Sequence, residues 1–569
     1  MSRAILLSVL QIDSSRSLPS RPGGTPPTPP ATTFQRIVHE LARLSDARLG
    51  LLVALVLFVL AAWPLLLVEL PPFQDLPNHV ATAHIIAHPE LYPEYVFNGY
   101  FRSNSLTTLW LRVVGSHGLF GAARALTAVV LAMNALALPF FVLHFAGRRA
   151  LPVAALFLWP LVHGFFVSMG MLNFSFAFSL SLILLIAIDR QRQHPTLARA
   201  LGIAVISAVV CFAHPFPLAV TGVLVGLHAV SRSTWQARIT AGLTMLLPIA
   251  PAALLSLVAA QHHLVKAENA PPFVVAVSSY STPWEILEHL WLDISGAFTR
   301  WGSMTIVPAL LLPYFVWRQR RVAPPLFSTP AMVALAGSYV ALPEMMSNWY
   351  YFNCRLVPFL WAGLALRLPG TLPRPVAALL AACALAFSGV MGFDYVRLDR
   401  DRAEFTAGMD AVPAQATLLP LLFQHSKTSD FTASLTHAWG YYTVKKDTSA
   451  PLVFAVERSF PITYRDFPPR KLISPALDRF AELDGTPAQV CKILRQVPVD
   501  AACTTAWREL WSAFWQDAEP RFSHLLTWAI PPEARPTIPK RYHRIFASGA
   551  LEIYARGTAT TGSAPARTH

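Results

Sequence analysis

A carboxylate stands between two prolines shortly after the first long apolar block of the chain. The segment reads Glu69-Leu-Pro-Pro-Phe-Gln-Asp75-Leu-Pro-Asn78-His79. A carboxylate held in a stiffened chain just beyond a membrane helix is suited to act as a base, or to hold a metal ion. The alternative is structural, because Asp followed two residues later by Pro is also ordinary helix-capping chemistry. We therefore treat Asp75 as a candidate catalytic residue, with capping as the open alternative.

The residues after Asp75 continue as an amphipathic helix pattern, His-Val-Ala-Thr-Ala-His-Ile-Ile-Ala, from His79 to Ala87. His79 lies near the polar side of this pattern and is the second candidate catalytic residue. Asn78 precedes it and is a candidate substrate-binding residue. The spacing of His79 and His84 has no metal-ligand geometry, so the sequence assigns no metal ligand.

A second polar cluster follows a later apolar block and reads Glu344-Met-Met-Ser-Asn-Trp-Tyr-Tyr-Phe-Asn-Cys-Arg355. The aromatic run at 349–352 is typical of a membrane interface, which places Arg355 about one turn inside the bilayer boundary. An arginine there is costly unless it reaches the surface or has a partner such as Glu344. We favour capture of a lipid phosphate, for which the planar guanidinium is suited. Arg355 and Glu344 are therefore candidate substrate-binding residues.

Two further candidates lie in connections between apolar blocks. His214 begins the run His-Pro-Phe-Pro, and Lys266 follows the run Gln-His-His-Leu-Val. Each side chain could line a cavity and bind substrate. The alternative for both is a solvated loop tip, which is the commoner state of such residues.

Composition indicates where these residues must be held. Of 569 residues, 54% are hydrophobic and only 13% are charged, well below the charged share of soluble domains. The net charge of +14 comes from short basic clusters between apolar blocks, so it argues against a nucleic-acid partner.

Uncharged blocks of membrane-crossing length predict eleven transmembrane helices. Prolines at 215 and 217 split one long block into two helices. The predicted spans are 49–68, 125–147, two within 150–188, two within 200–231, 239–259, 302–317, 328–343, 349–366 and 375–393.

Arginines set the predicted orientation. They fall in alternate short connections, which the positive-inside rule assigns to the cytoplasm. The N-terminus is then inside, and an odd number of spans places the C-terminal region outside. Asp75, Glu344 and Arg355 all fall on the outer side.

Three regions follow from this pattern. Residues 1–48 form a cytoplasmic tail, disordered and then amphipathic; 49–393 form the helical bundle, with a long first outer loop at 70–123; and 394–569 form an extracytoplasmic α/β domain. Cys491 and Cys503 lie in that last region and could form one disulfide in an oxidising compartment. The predicted fold class is an α-helical polytopic membrane protein with this α/β domain.

The layout resembles the GT-C superfamily of membrane glycosyltransferases, which have an inside N-terminus and an essential carboxylate in a long first outer loop. The match covers about residues 49–393. The resemblance implies that Asp75 deprotonates or orients an acceptor hydroxyl while sugar leaves a polyprenyl phosphate, and that Arg355 lies near the lipid phosphate. Family members often have a second acidic residue where this loop has Gln74-Asp75-Leu76. The sequence therefore leaves open whether a divalent cation, Mg²⁺ or Mn²⁺, is a cofactor.

The resemblance implies a sugar transfer, inverting or retaining, on the outer face of a bacterial inner membrane. The expected partners are a lipid-linked sugar donor, membrane lipids and a glycan, lipid or protein acceptor. The main alternative is a transporter, flippase or assembly component for envelope polysaccharide, and another is a bundle that only anchors a glycan-binding domain. No proposed span has a charged residue near its centre, which favours surface chemistry over passage.

Overall fold

The computed structural model describes residues 43–100, 102, 104–264, 278–319, 323–346, 350–423, 429–451, 453–454, 460–465, 512, 514–532 and 534–557. The chain divides into two compact units, 1–49 and 50–569. Within the first unit, the described residues 43–49 include the first turn of a helix. The predicted cytoplasmic tail otherwise lies outside the described residues, as do Cys491 and Cys503.

Helices make up most of the described chain. They are α1 (Asp46–Ala62), α2 (Leu76–Ala87), α3 (Leu106–Val114), α4 (Leu119–Phe145), α5 (Leu151–Leu158), α6 (Phe165–Ser168), α7 (Leu172–Gln193), α8 (Leu197–Ala213), α9 (Pro215–Val230), α10 (Trp235–Met245), α11 (Ala250–Leu264), α12 (Pro283–Ser295), α13 (Ile306–Gln319), α14 (Thr329–Ala341), α15 (Val357–Ala365), α16 (Arg374–Thr406) and α17 (Gly440–Lys446).

Five helical segments among the described residues are long and apolar enough to cross a membrane. They are Asp46–Leu67, Leu119–Phe145, Arg148–Ser168, Leu172–Gln193 and Arg374–Ala411. The pair α10 and α11, bent by 71°, would make a sixth, and α8, α9 and α14 are shorter apolar helices. A helix lies in each of the eleven predicted segments, but the number of crossings stays a prediction.

Local sequence explains where several of these helices begin. The Nδ1 atom of His214 accepts a hydrogen bond from the backbone N–H of Phe216, and Pro215 occupies the first position of α9. The predicted break between two helices at this point is confirmed. Thr282 and Glu285 form a capping box at the start of α12, which satisfies backbone donors that no helix bond can reach.

A four-stranded sheet forms in the C-terminal region, in the order β4 (Leu418–Leu422), β6 (His524–Trp528), β8 (Leu551–Arg556) and β7 (Tyr542–Ser548). Strands β4 and β6 are parallel and fully buried, which explains the unbroken apolar sequence of β4. The other pairings are antiparallel. Helix α16 continues past residue 393, where the sequence predicts the boundary of an outer domain, and that boundary stays a prediction.

The first outer loop and the C-terminal region fold together. Strand β1 (Tyr95–Phe97) pairs antiparallel with β5 (Ile462–Tyr464). Strands β2 (Ser278–Ser279) and β3 (Met345–Met346) form a separate two-stranded pairing. One apolar core contains buried residues from both regions: Ala81, Ile85, Tyr92, Tyr95, Leu419, Leu421, Trp439, Phe514, Phe522 and Leu525. Burial of this apolar surface stabilises the contact between helix α2 and the segments that follow α16.

Candidate functional site

Asp75 is held in place by the aromatic residue two positions before it. Phe73 is fully buried, and its ring centroid lies 6.4 Å from that of Phe298 and 6.1 Å from that of Tyr395. His163 contributes a fourth ring, 5.9 Å from Phe73, and its Nε2 atom lies 3.0 Å from the Tyr395 hydroxyl. The cluster anchors the chain between α1 and α2 and so fixes the direction in which the chain continues from Phe73 to Asp75.

The turn between α6 and α7 contacts Asp75 from the other side. The backbone N–H of Asp75 donates to the carbonyl oxygen of Met169 at 2.9 Å. Gly170 has a φ of +85°, and a Cβ atom there would lie 2.9 Å from the nitrogen of Leu76 and 3.0 Å from that of Asp75. Only glycine meets both requirements, because other residues are strained at positive φ and would collide with this backbone.

Gly170→Ala is therefore expected to displace Asp75. The left-handed backbone alone costs about 1–2 kcal/mol, and the contact with backbone atoms adds to it. We expect a lower thermal midpoint and lower activity in the same preparation. Gly121→Ala in α4 is the control, since a Cβ atom there meets nothing within 4 Å. Equal midpoints and equal activities for the two variants would show that the turn does not position Asp75.

The side chain of Asp75 makes no capping hydrogen bond at the start of α2. The capping alternative therefore does not describe this carboxylate. Its Oδ1 atom lies 3.7 Å from Nε2 of His437, and Gln74 forms a side-chain hydrogen bond with it. Burial raises the pKa of Asp75 to about 7, against the lowering effects of Gln74 and of the positive charge of Arg355.

Arg355 lies in a 3₁₀ turn, Asn353–Leu356, that leads into α15. It is 5% exposed, and its guanidinium carbon lies 5.9 Å from the centroid of the Phe174 ring. The ring of His214 meets the same Phe174 ring at 5.5 Å in an edge-on contact. The structure thus brings Arg355 and His214 together around Phe174, with Arg355 near enough to Asp75 to act on it electrostatically.

Asn78 contacts protein groups on two sides. Its side-chain nitrogen lies 3.3 Å from Nδ1 of His437, and its side-chain oxygen accepts from the backbone N–H of Phe454 at 3.2 Å. Asn78 is fully buried. These contacts link α2 to the C-terminal region, whereas the sequence predicts a substrate contact for this residue.

His79 lies one turn after Asp75 on α2, and its backbone N–H donates to the carbonyl oxygen of Asp75 at 3.2 Å. The ring meets the Phe454 ring edge-on, with centroids 5.8 Å apart. Burial lowers the pKa of His79 to about 4, so the imidazole is neutral near pH 7. A catalytic role for His79 stays a prediction.

Glu344 lies against the segment around α12. Its Oε2 atom accepts from the Ser281 hydroxyl at 3.0 Å, and its Oε1 atom lies 3.5 Å from Nε2 of His289. These contacts favour Ser281 and His289, rather than Arg355, as the partners of the Glu344 carboxylate. Lys266 lies outside the described residues, and its substrate-binding role stays a prediction.

His437 is the residue that the sequence analysis did not single out. It lies in a run of turns just before α17, and its side chain is 8% exposed. The sequence around it, Ser-Leu-Thr-His-Ala-Trp, has no motif spacing that marks a functional histidine. Only the contact between segments about 360 residues apart reveals it.

The side chains near Asp75 bear on whether the site could hold a cation. Among the residues that the structure describes, no group of three or more His, Cys, Asp and Glu side chains could hold a metal ion. The groups beside Asp75 are an amide and an imidazole, whereas Mg²⁺ prefers several carboxylate and water oxygens. The fit is poor, and no step proposed below depends on a cation.

Comparison with known proteins bears on the fold. No protein-family model matches the sequence, and no curated protein matches it. The structure matches the crystal structure of apo ArnT from Cupriavidus metallidurans, with a TM-score of 0.50, 12% identity, and coverage of 90% of this chain and 97% of that one. ArnT is a polyprenyl-phosphate-sugar glycosyltransferase of the GT-C family.

The chain shares the fold of this ArnT structure. This confirms the resemblance that the layout of spans and loops indicates. The shared fold and the five apolar helices make the chain a multi-pass membrane protein. At 12% identity the match concerns the fold alone, so activity rests on the site described above.

Proposed function

We propose that this chain is an integral membrane glycosyltransferase. It moves a sugar from a polyprenyl-phosphate donor to an acceptor of the cell envelope, on the outer face of a bacterial inner membrane. The observation that carries the proposal is the Asp75 carboxyl in a GT-C fold: its side chain is 13% exposed, its pKa is about 7, and the charge of the buried Arg355 acts on it. A base whose pKa lies near the working pH is most effective in proton transfer.

In the proposed reaction the Asp75 carboxylate accepts the proton of the acceptor hydroxyl. The hydroxyl oxygen bonds to the anomeric carbon of the sugar, and the bond from that carbon to the phosphate oxygen breaks. Polyprenyl phosphate leaves with the bonding electrons, and Asp75 later releases the proton to water. Arg355 stabilises the negative charge that builds up on the leaving phosphate.

The other candidate residues take supporting roles. The Phe174 ring packs against the Arg355 guanidinium, and His214 packs against Phe174. Glu344 holds α12 through Ser281 and His289. Cation stacking on an aromatic ring limits the rotamers of a long arginine side chain, which favours a fixed direction for its charge.

The proposal is tested with the full chain in lipid nanodiscs. Polyprenyl-phosphate sugars and a bacterial envelope extract are added, and products are followed by mass spectrometry. We expect an acceptor to gain one sugar mass while an equal amount of polyprenyl phosphate is released. Donor moved intact across liposome membranes, without release of polyprenyl phosphate, would instead support the transporter or flippase alternative.

A further inference from the structure

The C-terminal region contacts the Asp75 carboxylate by two routes. The Gln74 side-chain oxygen accepts from the backbone N–H of Ala433 at 2.9 Å, which leaves the Gln74 amide nitrogen to donate to Asp75. The second route is the imidazole of His437. Both contacts come from the chain just before α17, about 360 residues from Asp75.

Asn78 determines which ring nitrogen of His437 carries the proton. The Asn78 oxygen accepts from the backbone N–H of Phe454, so its nitrogen is the atom that faces His437. That amide nitrogen donates, and Nδ1 of a neutral His437 must accept. The proton of the neutral ring then lies on Nε2, which is the atom 3.7 Å from Oδ1 of Asp75.

We propose that His437 is a positioning residue for Asp75, supplied by the C-terminal region and held by Asn78 with its Nε2–H directed at the carboxylate. The inference rests on the proposed function of Asp75. The distance of 3.7 Å is longer than a hydrogen bond, and a shift of less than about 1 Å brings it into range. Catalytic hydrogen bonds often shorten in this way when substrate binds.

The arrangement has a physical purpose in the proposed reaction. A carboxylate has two oxygens. A hydrogen bond donated by His437 to Oδ1 orients the plane of the carboxylate, so that the other oxygen faces the acceptor hydroxyl. Misplacement of a reacting group by about 1 Å can lower a rate roughly 10²-fold.

Two substitutions of His437 separate this role from a purely structural one. The amide nitrogen of glutamine reaches the position of Nε2 and can donate there, whereas the side-chain oxygen of asparagine reaches the position of Nδ1 and can accept from Asn78. His437→Gln therefore keeps a donor toward Asp75, and His437→Asn keeps only a contact with Asn78. If His437 positions Asp75, kcat falls about 10²-fold in His437→Asn and at least ten times less in His437→Gln. The KM for the lipid donor stays within about threefold in both, because Arg355 is untouched.

The pH profile gives a second readout. The charged and titratable groups that face Asp75 are Arg355 and His437, with His79 one turn along α2. Loss of a donor to the carboxylate destabilises its charged form, so the acidic limb of kcat/KM moves to higher pH in His437→Asn. His543→Asn, at an exposed position of β7, is the control and leaves kcat and the limb unchanged.

Each result decides the question. A structural role predicts the opposite order, with His437→Asn more active than His437→Gln, and that order overturns the inference. An equal fall of kcat in His437→Asn and His437→Gln, together with a lower thermal midpoint in both, also overturns the inference. If His437→Asn keeps the wild-type kcat while Asp75→Asn is inactive, the inference about His437 is overturned and the proposed function stands. If the wild-type chain transfers no sugar from any donor, the proposed function and the inference fail together.

Discussion

Asp75→Asn is expected to lower kcat for sugar transfer by about 10³-fold, within the range for loss of a general base. The amide has the same shape as the carboxyl, so it keeps the contacts around Phe73 and Met169 but cannot accept the proton. The measurement is the release of polyprenyl phosphate by the variant in nanodiscs. Glu69→Gln is the matched control: it removes a carboxylate from the same loop, one that is 58% exposed and 4.0 Å from Arg402.

The same variant has a predictable effect on stability. The folded-state pKa of Asp75, about 7, lies above the ordinary value of 3.8, so the folded protein holds the proton more tightly than the unfolded chain. Ionisation of this buried group therefore destabilises the fold as pH rises from about 4, and fully so above about 7. Asp75→Asn should raise the thermal midpoint at pH 8 and leave it unchanged at pH 4.

Wild-type activity follows the same titration. The carboxylate is the form that accepts a proton, so kcat/KM should rise with pH through about 7 and then level off. A transfer rate that Asp75→Asn leaves intact, or a flat profile between pH 5 and 8, would show that Asp75 is not the base.

Arg355→Gln is expected to raise the KM for the lipid donor by roughly 10–100-fold, because charge-assisted hydrogen bonds are worth about 1.5–3 kcal/mol. Arg355→Lys should lie between wild type and Arg355→Gln, since an ammonium keeps the charge but not the planar fork. The measurement is the initial rate as a function of donor concentration. Arg400→Gln, at an exposed position of α16, is the control.

Removal of Arg355 also acts on Asp75. The arginine charge lowers the pKa of the carboxyl, so its loss moves the acidic limb of kcat/KM to higher pH. A variant that loses donor affinity without this displacement would mean that Arg355 acts on the donor alone. If Arg355→Gln changes neither the KM for the lipid donor nor the acidic limb of kcat/KM, both proposed effects of Arg355 are contradicted: its binding of the donor phosphate and its electrostatic effect on Asp75.

The helices were predictable because the signal is local. A block such as Asp46–Ala62 is apolar over its whole length, and the break at His214 follows from adjacent prolines. The carboxylate in the first outer loop could also be selected from the sequence, because type and position relative to the first helix are local properties. The same holds for the arginine at 355, which follows an aromatic run at the edge of an apolar block.

Local patterns left open what each polar side chain contacts. Capping and catalysis were equal alternatives for Asp75 until the geometry showed no capping hydrogen bond. The Glu344 carboxylate could be read as a partner of Arg355, yet it contacts Ser281 and His289. A side chain's partner depends on how distant elements pack, and no spacing along the chain encodes it.

The sequence by itself therefore determined the apolar helices, the membrane class and the choice of Asp75 and Arg355. Only the tertiary structure decided that these two residues share one electrostatic site and that His437 and Ala433 reach it from the far end of the chain. The reason is physical: helices form from contacts within a few turns, whereas the ionisation of a buried carboxyl depends on every charge and donor around it in space.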